Sequence, residues 1–330
     1  MQIDVVLSET SKPLVSHDLF RKLVSTFQRM LYGRRALRTA KRMGTGNSAA
    51  PRPLAPGIAF AAVSTIAQRV VVNLARWIVV LVRPPRARLP HLPPSFWLGT
   101  ALTIVANLAS MFFLDTAASD WARHLPPGLT EAADQVSNFG LSGWFLYPLG
   151  AVLLCLAAVI APTLPGLTQG TLAALVARFG FLFVAIGLPG LFATIIKRLI
   201  GRARPYVGVQ DDPFAYMPFI WRPEYASLPS GHAVTATAAA IAIGAIWPRS
   251  RVVMWLYAAI IMFARVALNV HHPSDVIAGA LVGVVGALVI RNVFAARRLG
   301  FSPVDLAAYP WPSFKRIKAT LRKALNSADE

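Results

Sequence analysis

The chain has 330 residues, of which 55% are hydrophobic and only 14% are charged. This balance excludes an ordinary soluble domain and is typical of a polytopic membrane protein. The net charge of +19 does not indicate nucleic acid as a partner, because the Lys and Arg residues collect at the two ends of the chain and in short turns between hydrophobic runs.

Residues 1–56 are predicted to form a basic cytoplasmic tail that ends in a flexible linker, "GTGNSAAPRPLAPG" (44–57). Within this tail, apolar residues recur at helical spacing over 17–31 beside basic ones, which favours an amphipathic helix on an anionic membrane surface. A tail that only sets topology is the alternative.

Residues 57–96 are predicted to hold an interfacial amphipathic helix followed by a Pro-rich connector. In the apolar stretch 57–83, Arg69, Asn73 and Arg76 recur at helical spacing and form one polar stripe. Such a stripe favours a helix lying in the membrane interface, with a seventh spanning helix as the alternative.

Residues 97–295 are predicted to be an all-α, polytopic membrane bundle of six transmembrane helices. Each of six apolar runs is near the length of about 20 residues that a bilayer core needs. The predicted spans are 97–117, 141–161, 173–196, 232–248, 252–270 and 276–295.

The distribution of charge predicts that both termini are cytoplasmic. Up to residue 96 there are 15 Lys and Arg residues against three acids, and the tail 296–330 holds seven basic residues, again with the pattern of an amphipathic helix over 313–325. Basic loops stay in the cytoplasm, so loops 115–140, 197–231 and 271–275 are expected on the opposite side. Loop 197–231 is basic all the same, which indicates that its cations have another task.

The polar residues of three stretches are expected to meet on that outer side, because successive spans alternate in direction. The stretches are "KRLIGRARP" (197–205), "LPSGHAV" (228–234) and "NVHHPSDVIAG" (269–279). Cations and the N–H groups at a helix N-terminus together bind a dianion, for which phosphate is the obvious candidate. The predicted phosphate-binding residues are Lys197, Arg204, Ser230, Gly231 and Arg265.

The spacing of His271 and Asp275 predicts an oriented nucleophile or base. Residues four apart share one face of a helix, which Pro273 is suited to start. The carboxylate can accept a hydrogen bond from one ring nitrogen and leave the other free to attack, while His232 can protonate a leaving oxygen. No metal is predicted, since the other histidines of the chain, apart from His272, lie far from this cluster in the sequence.

The three stretches resemble the signature of the type-2 phosphatidic acid phosphatase superfamily of integral membrane lipid phosphate phosphatases. "KRLIGRARP" matches a lysine, six residues and Arg-Pro, and residues 229–232 match Pro-Ser-Gly-His. "ARVALNVHHPSD" matches the third motif except that Ala264 stands where the family has serine. That position supports the arginine and the phosphate, so the departure affects fine tuning.

The resemblance implies a mechanism without a cofactor. His271 attacks phosphorus and forms a phosphohistidine, Asp275 orients His271, and His232 protonates the leaving group and then helps to activate water. The related haloperoxidases hold vanadate in a similar cage, but six spans argue against that activity. Lys197, Arg204, Arg265 and the backbone of Ser230 and Gly231 hold the phosphate, whereas Arg202 lies outside the motif and is expected to matter less than Arg265.

Aromatic residues in loop 206–226 predict a lid at the membrane interface, with an aromatic belt that only sets depth as the alternative. The lid candidates are Tyr206, Tyr216, Trp221 and Arg222. The expected partners are a lipid phosphate substrate and membrane lipids, and an isoprenyl pyrophosphate, phosphatidylglycerol phosphate, phosphatidic acid and lipid A all fit. A phosphotransferase with the same site and a lipid-binding scaffold are the other functions left open. The expected location is a bacterial inner membrane with the site facing the periplasm, and the sequence does not indicate an oligomeric state.

Overall fold

A computed structural model describes residues 56–161, 164–207 and 212–328, with side chains described between residues 66 and 323. The tail helix predicted at 17–31 lies outside the described residues. The described part contains ten α-helices: α1 Pro56–Val82, α2 Pro94–Phe113, α3 Asp115–Arg123, α4 Pro127–Ser137, α5 Gly143–Val159, α6 Gly166–Ile200, α7 Gly231–Ile246, α8 Arg251–Ala267, α9 Pro273–Ala296 and α10 Phe314–Ala328.

Five helical segments of the described part are long and apolar enough to cross a membrane. They are Pro94–Phe113, Pro127–Val159, Gly166–Ile200, Pro248–Ala267 and Pro273–Ala296. The all-helical membrane bundle predicted from the sequence is therefore confirmed, with five candidate spans in place of six. The remaining predicted span corresponds to α7, which is apolar but has only 16 residues.

Helix α7 lies at the centre of the bundle, against α6, α8 and α9. It is rich in alanine, and eleven of its residues are buried. Small side chains let neighbouring helices approach closely. Close packing is a main source of association energy between membrane helices, because lipid tails are as apolar as the helices and supply no hydrophobic driving force. A helix surrounded by protein in this way does not need the full length of a lipid-exposed span.

Two glycines of α9 allow the closest of these approaches. A Cβ atom at Gly279 would lie 2.5 Å from the carbonyl oxygen of Ser230, and one at Gly283 would overlap Thr237 of α7. The N–H of Ser230 donates to the carbonyl oxygen of Asp275 at 2.9 Å. These contacts hold the N-termini of α7 and α9 side by side, and both motif stretches start there.

The segment predicted as external loop 115–140 is folded. It forms α3, α4 and a 3-10 turn at Asn138–Gly140, and both helices pack against α8. A Cβ atom at Gly140 would lie 2.9 Å from the Cδ2 atom of His232. The segment therefore covers the end of the bundle at which α6 and α8 finish and α7 and α9 begin.

Helix α1 packs against α5, through a contact that the polar-stripe pattern did not predict. The side chain of Asn73 is buried and donates to the carbonyl oxygens of Ala157 and Ile160 at 2.8 and 2.9 Å. The N–H of Arg86, just beyond α1, donates to Ala296 at the end of α9. Residues 73 and 86 thus meet the same end of the bundle, which favours the predicted interfacial helix over the alternative of a seventh span; the assignment remains a prediction.

The helix predicted at 313–325 forms as α10. The guanidinium of Arg316 donates to the hydroxyl of Thr171 near the start of α6 at 3.0 Å, and Ile317 packs against the apolar cluster that includes Leu172 and Leu175. The C-terminal helix therefore docks on the end of the bundle opposite the motif stretches.

Candidate active site

The structure brings the predicted residues together at one end of the bundle. Lys197 lies in the last turn of α6, and Arg204 follows it. Gly231 and His232 open α7, and Arg265 lies in the last turn of α8. Lys197, Arg204, Arg265 and His271 all lie within electrostatic range of His232. We call this set the phosphate pocket: Lys197, Arg204, Ser230, Gly231, His232, Arg265 and His271.

His271 is buried between α8 and α9, with only 3% of its surface exposed. Its Nδ1 atom lies 3.7 Å from Oδ2 of Asp275 and 3.4 Å from the hydroxyl of Ser227. That hydroxyl donates to the same Oδ2 atom at 2.5 Å. The predicted pairing of His271 with Asp275 is therefore present, but the direct contact is longer than a hydrogen bond and Ser227 lies beside it.

Burial lowers the pKa of His271 to about 4, and Arg265 and Arg204 lower it further against the opposing effect of Asp275. An apolar surrounding disfavours the imidazolium, and nearby cations do the same. Because Nδ1 faces Asp275 and Ser227, the Nε2 atom remains for the pocket. The geometry suits a neutral imidazole acting as a nucleophile.

Three buried polar atoms of the pocket have no hydrogen-bond partner within the described part of the chain: Ser230 Oγ, Arg204 Nε and Arg265 Nε. The Nζ atom of Lys197 lies 3.5 Å from the position a Cβ atom on Gly231 would take. Buried polar groups are nearly always paired, so a cluster of unpaired donors beside a lysine is suited to bind an anion.

One predicted phosphate contact is wrong. The backbone N–H of Ser230 is not available, because it donates to the carbonyl oxygen of Asp275. The hydroxyl of Ser230 is the group that remains unpaired. The N–H of Gly231 lies in the first turn of α7, where no preceding turn supplies an acceptor, so the prediction for Gly231 is compatible with the fold.

A family model described as the PAP2 superfamily matches residues 178–299. A lipid A 1-phosphatase from Rhizobium johnstonii is 32% identical over 232 residues, which cover 69% of this chain and 92% of the relative. The chain belongs to the PAP2 superfamily. A lipid A 1-phosphatase from Rhizobium etli is 31% identical over 70% of this chain and 98% of its own length. A decaprenylphosphoryl-5-phosphoribose phosphatase from Mycobacterium tuberculosis is 34% identical over 52% of this chain and 84% of its own length.

Membership of the PAP2 superfamily makes this chain a membrane-embedded phosphoric ester hydrolase and confirms the resemblance drawn from the three motifs. The matched region contains all of the phosphate pocket. It does not contain α2 to α5, from which further residues reach the site.

Ser137 of α4 is one such residue. Its hydroxyl accepts a hydrogen bond from Nη1 of Arg265 at 2.5 Å. Ala264, where the PAP2 motif has serine, is buried and carries no hydroxyl. Arg265 is thus held by a serine from a helix outside the matched region, which no spacing in the sequence indicates.

A second group that the sequence analysis missed lies behind Asp275. Arg202, expected to be a minor residue, is fully buried. Its Nη1 atom donates to Oδ1 of Asp275 and its Nη2 atom to Oδ2 of Asp115, both at 2.7 Å. Ser274 bonds to both Arg202 and Asp115. We call Asp115, Arg202, Ser274 and Asp275 the back network.

The lid candidates occupy different positions. Tyr206 lies within electrostatic range of Arg265. Tyr216 forms a backbone bridge with Arg202. Trp221 is 80% exposed and lies 5.7 Å from the guanidinium of Arg198, which also donates to the carbonyl oxygen of Arg222. The contacts of Trp221 and Arg222 are with the end of α6. Among the four lid candidates in the described part of the loop, Tyr206 is the one close to the pocket, and the lid remains a prediction.

An apolar groove of about 310 Å³ lies between α2, α8 and α9. Val266 and Pro273 line it next to Arg265 and close to His271. The other lining residues are Thr103, Met262, Phe263, Val276, Ile277 and Ala280. The hydroxyl of Thr103 is turned back to the carbonyl oxygen of Gly99, so the groove presents an apolar wall toward the lipid phase.

Proposed function

We propose that the chain hydrolyses a phosphate ester of a membrane lipid through a phosphohistidine on His271. The observation that carries this proposal is the pocket itself, in which His232 at the start of α7 and His271 just before α9 lie close to the cationic residues Arg204 and Arg265, whose Nε atoms are unpaired within the described residues. Positioned donors that stabilise charge on the transferring phosphoryl group are the main source of catalysis in such reactions.

In the first step, Nε2 of His271 forms a bond to phosphorus while the bond from phosphorus to the lipid oxygen breaks. His232 gives its proton to that oxygen. In the second step, a water oxygen attacks phosphorus, His232 takes a proton from this water, and the bond from phosphorus to nitrogen breaks. Inorganic phosphate leaves, and His271 and His232 return to their starting states.

The apolar groove supports a lipid as the substrate. It is lined by residues of α2, α8 and α9, among them Val266 and Pro273, which neighbour Arg265 and His271 in the sequence. A phosphate in the pocket and a hydrocarbon chain in the groove would satisfy both surfaces, since an apolar groove gains about 25 cal/mol for each Å² of apolar surface that a chain covers.

Lipid A carrying a 1-phosphate is the substrate to test first. The relatives that match over more than nine tenths of their own length are named lipid A 1-phosphatases. A prenyl phosphate is the second candidate, because the mycobacterial relative acts on a decaprenyl compound by its name.

The decisive experiment is phosphate release from a panel of purified lipids by the full-length protein in detergent with EDTA present. We expect release from lipid A 1-phosphate and retention of activity in EDTA. Quenching with alkaline detergent during turnover of a lipid that carries radiolabelled phosphate should trap an acid-labile, base-stable label on the protein, and His271→Ala should abolish this label. Absence of release from every lipid of the panel would contradict the proposal, and transfer of phosphate to an added alcohol in place of water would indicate a phosphotransferase.

The pocket is proposed to open to the side opposite the termini, which is the periplasm in a bacterial inner membrane. The excess of Lys and Arg at the chain ends supports this orientation. In a Cys155→Ala background, Asp212→Cys should react with an impermeant thiol reagent in intact cells, and Lys323→Cys only after lysis. Both positions are exposed, and the reverse labelling pattern would contradict the orientation.

A further inference from the structure

The back network is made of charges that no phosphate can reach. Asp115, Arg202 and Asp275 are each fully buried, and they come from α3, the end of α6 and the first turn of α9. Burying three charges is costly unless each is paired and hydrogen-bonded. The contacts of this network therefore determine whether it is a stable part of the site.

All three nitrogen atoms of the Arg202 guanidinium donate hydrogen bonds. Its Nε atom donates to the carbonyl oxygen of Pro213 at 2.9 Å, and Nη1 donates to both Ser274 and Asp275 at 2.7 Å. Its Nη2 atom donates to Oδ2 of Asp115 at 2.7 Å. The planar guanidinium presents its donors at fixed angles, so it sets the position of one carboxylate relative to the other.

Asp115 is equally well satisfied. Its Oδ1 atom accepts bonds from the N–H of Ser274 at 3.0 Å and from the hydroxyl of Ser110 at 3.3 Å. Its Oδ2 atom accepts bonds from Arg202 and from the hydroxyl of Ser274 at 2.5 Å. Asp115 thus holds the backbone one residue before Asp275 as well as the guanidinium that holds Asp275.

Asp275 passes this constraint on to His271. Its Oδ1 atom is held by Arg202, which leaves Oδ2 for the hydroxyl of Ser227 and the N–H of His272 at 2.9 Å. Oδ2 is also the atom that lies nearest to Nδ1 of His271. A rotation of the carboxylate would exchange these roles, and Arg202 opposes that rotation.

We infer that Arg202 and Asp115 are positioning residues that fix the carboxylate of Asp275 and, through it and Ser227, the ring of His271. The inference rests on the proposed function, since it assumes that His271 is the nucleophile. Neither residue belongs to the three motifs, and Asp115 lies outside the region matched by the family model.

The charges around His271 predict how its titration responds. Asp275 opposes the lowering of the pKa of His271. When Arg202 is removed, the charge of Asp275 is no longer balanced on its far side and acts more strongly on His271. The acid limb of kcat/KM should then move to higher pH, an effect that a loss of folded protein does not produce.

The test compares Arg202→Met, Arg202→Lys and Asp115→Asn with two matched controls in the full-length protein. Arg198→Met removes an arginine four residues from Arg202, and Asp120→Asn removes an exposed acid of α3 that pairs with Arg123. The substrate is the lipid of the panel that the wild type hydrolyses fastest. Monodispersity and thermal unfolding of each variant report its folding.

We expect Arg202→Met to lower kcat by about 100-fold, with KM changed by less than about threefold, because small displacements at a reacting centre cost about this much. Arg202→Lys should recover about tenfold by holding one carboxylate but not both. Asp115→Asn should lower kcat by about tenfold, and both controls should keep kcat within about twofold. Should Arg202→Met fail to fold, the double variant Asp115→Asn/Arg202→Met removes one of the two carboxylate charges that the loss of Arg202 leaves unpaired and carries the same prediction.

A folded Arg202→Met protein with the kcat and pH profile of the wild type would overturn the inference, as would an equal loss in Arg198→Met. An inactive wild type, or a fully active His271→Ala variant, would contradict the proposed function instead. The two failures are therefore distinguishable.

Discussion

The two sides of Asp275 differ in how their polar groups are satisfied. On the side of the phosphate pocket, Ser230 Oγ, Arg204 Nε and Arg265 Nε are buried and unpaired within the described residues. On the side of the back network, Arg202 and Asp115 are buried and almost fully hydrogen-bonded. Unpaired buried donors close together are suited to bind a ligand, whereas paired buried charges are suited to hold neighbouring residues in place. We propose that arginine serves both purposes in this site, and the hydrogen-bond partners of each arginine distinguish the two.

We expect the largest effect at His271, which belongs to the phosphate pocket and lies beside Asp275 of the back network. His271→Ala should lower kcat by at least about 10⁴-fold, because no other group supplies the nucleophile. The measurement is initial-rate phosphate release by the purified variant, with thermal unfolding as the control for folding. Turnover near that of the wild type would remove the pocket from the mechanism.

Arg265 tests the pocket side. Arg265→Ala should lower kcat by about 10²- to 10³-fold, the usual cost of removing a donor that stabilises a transition state. Ser137→Ala should lower kcat by only about tenfold, because the guanidinium of Arg265 stays and loses only its 2.5 Å hydrogen bond to Ser137. Equal losses in both variants would show that Arg265 is needed only for packing α4.

Ser227 tests the contact between the two sides. Ser227→Ala removes a hydroxyl that bonds Asp275 and lies 3.4 Å from Nδ1 of His271. One hydrogen bond contributes about 1 kcal/mol, so kcat should fall by about five- to tenfold while KM is unchanged. Steady-state kinetics on one lipid give both constants, and a change confined to KM would place Ser227 in substrate binding.

The smallest effect concerns pH. Nucleophilic attack needs neutral His271, and a pKa lowered to about 4 keeps this residue neutral as the pH falls below the ordinary imidazole value of about 6.5. After correction for ionisation of the substrate phosphate, whose second pKa is near 6, kcat/KM should therefore persist at pH 5 and decline near pH 4. A corrected acid limb at about 6.5 would show that His271 is more solvated than the structure indicates.

The sequence predicted those parts of the site that depend on short spacings and on the alternation of spans. His271 and Asp275 lie four residues apart, and "LPSGHAV" opens a helix as expected. Asp115 and Ser137 were not predicted as site residues, because they bond to partners 87 and 128 residues away and no local pattern records such contacts. Arg202 was misjudged, since a basic residue in an external loop has the same sequence context whether it is solvated or buried. Likewise, the apolar composition of α7 predicted a span, whereas its 16 residues lie buried among α6, α8 and α9, a packing that no local pattern records.

The short length of α7 also has a consequence for the depth of the proposed reaction in the membrane. Helix α7 rises about 24 Å, and α8, with 17 residues, about 26 Å. Helix α7 ends and α8 begins at the turn that carries the exposed Arg249, and in the proposed orientation this turn lies at the water boundary of the cytoplasmic leaflet. In that orientation, a hydrocarbon layer about 30 Å thick would place the phosphate pocket roughly 5 Å inside the opposite leaflet, below the plane of the lipid headgroups. A lipid phosphate would then have to move below this plane to be cleaved, or the leaflet would have to thin around the protein. We therefore expect hydrolysis to be faster in vesicles of short-chain lipids than in vesicles of long-chain ones.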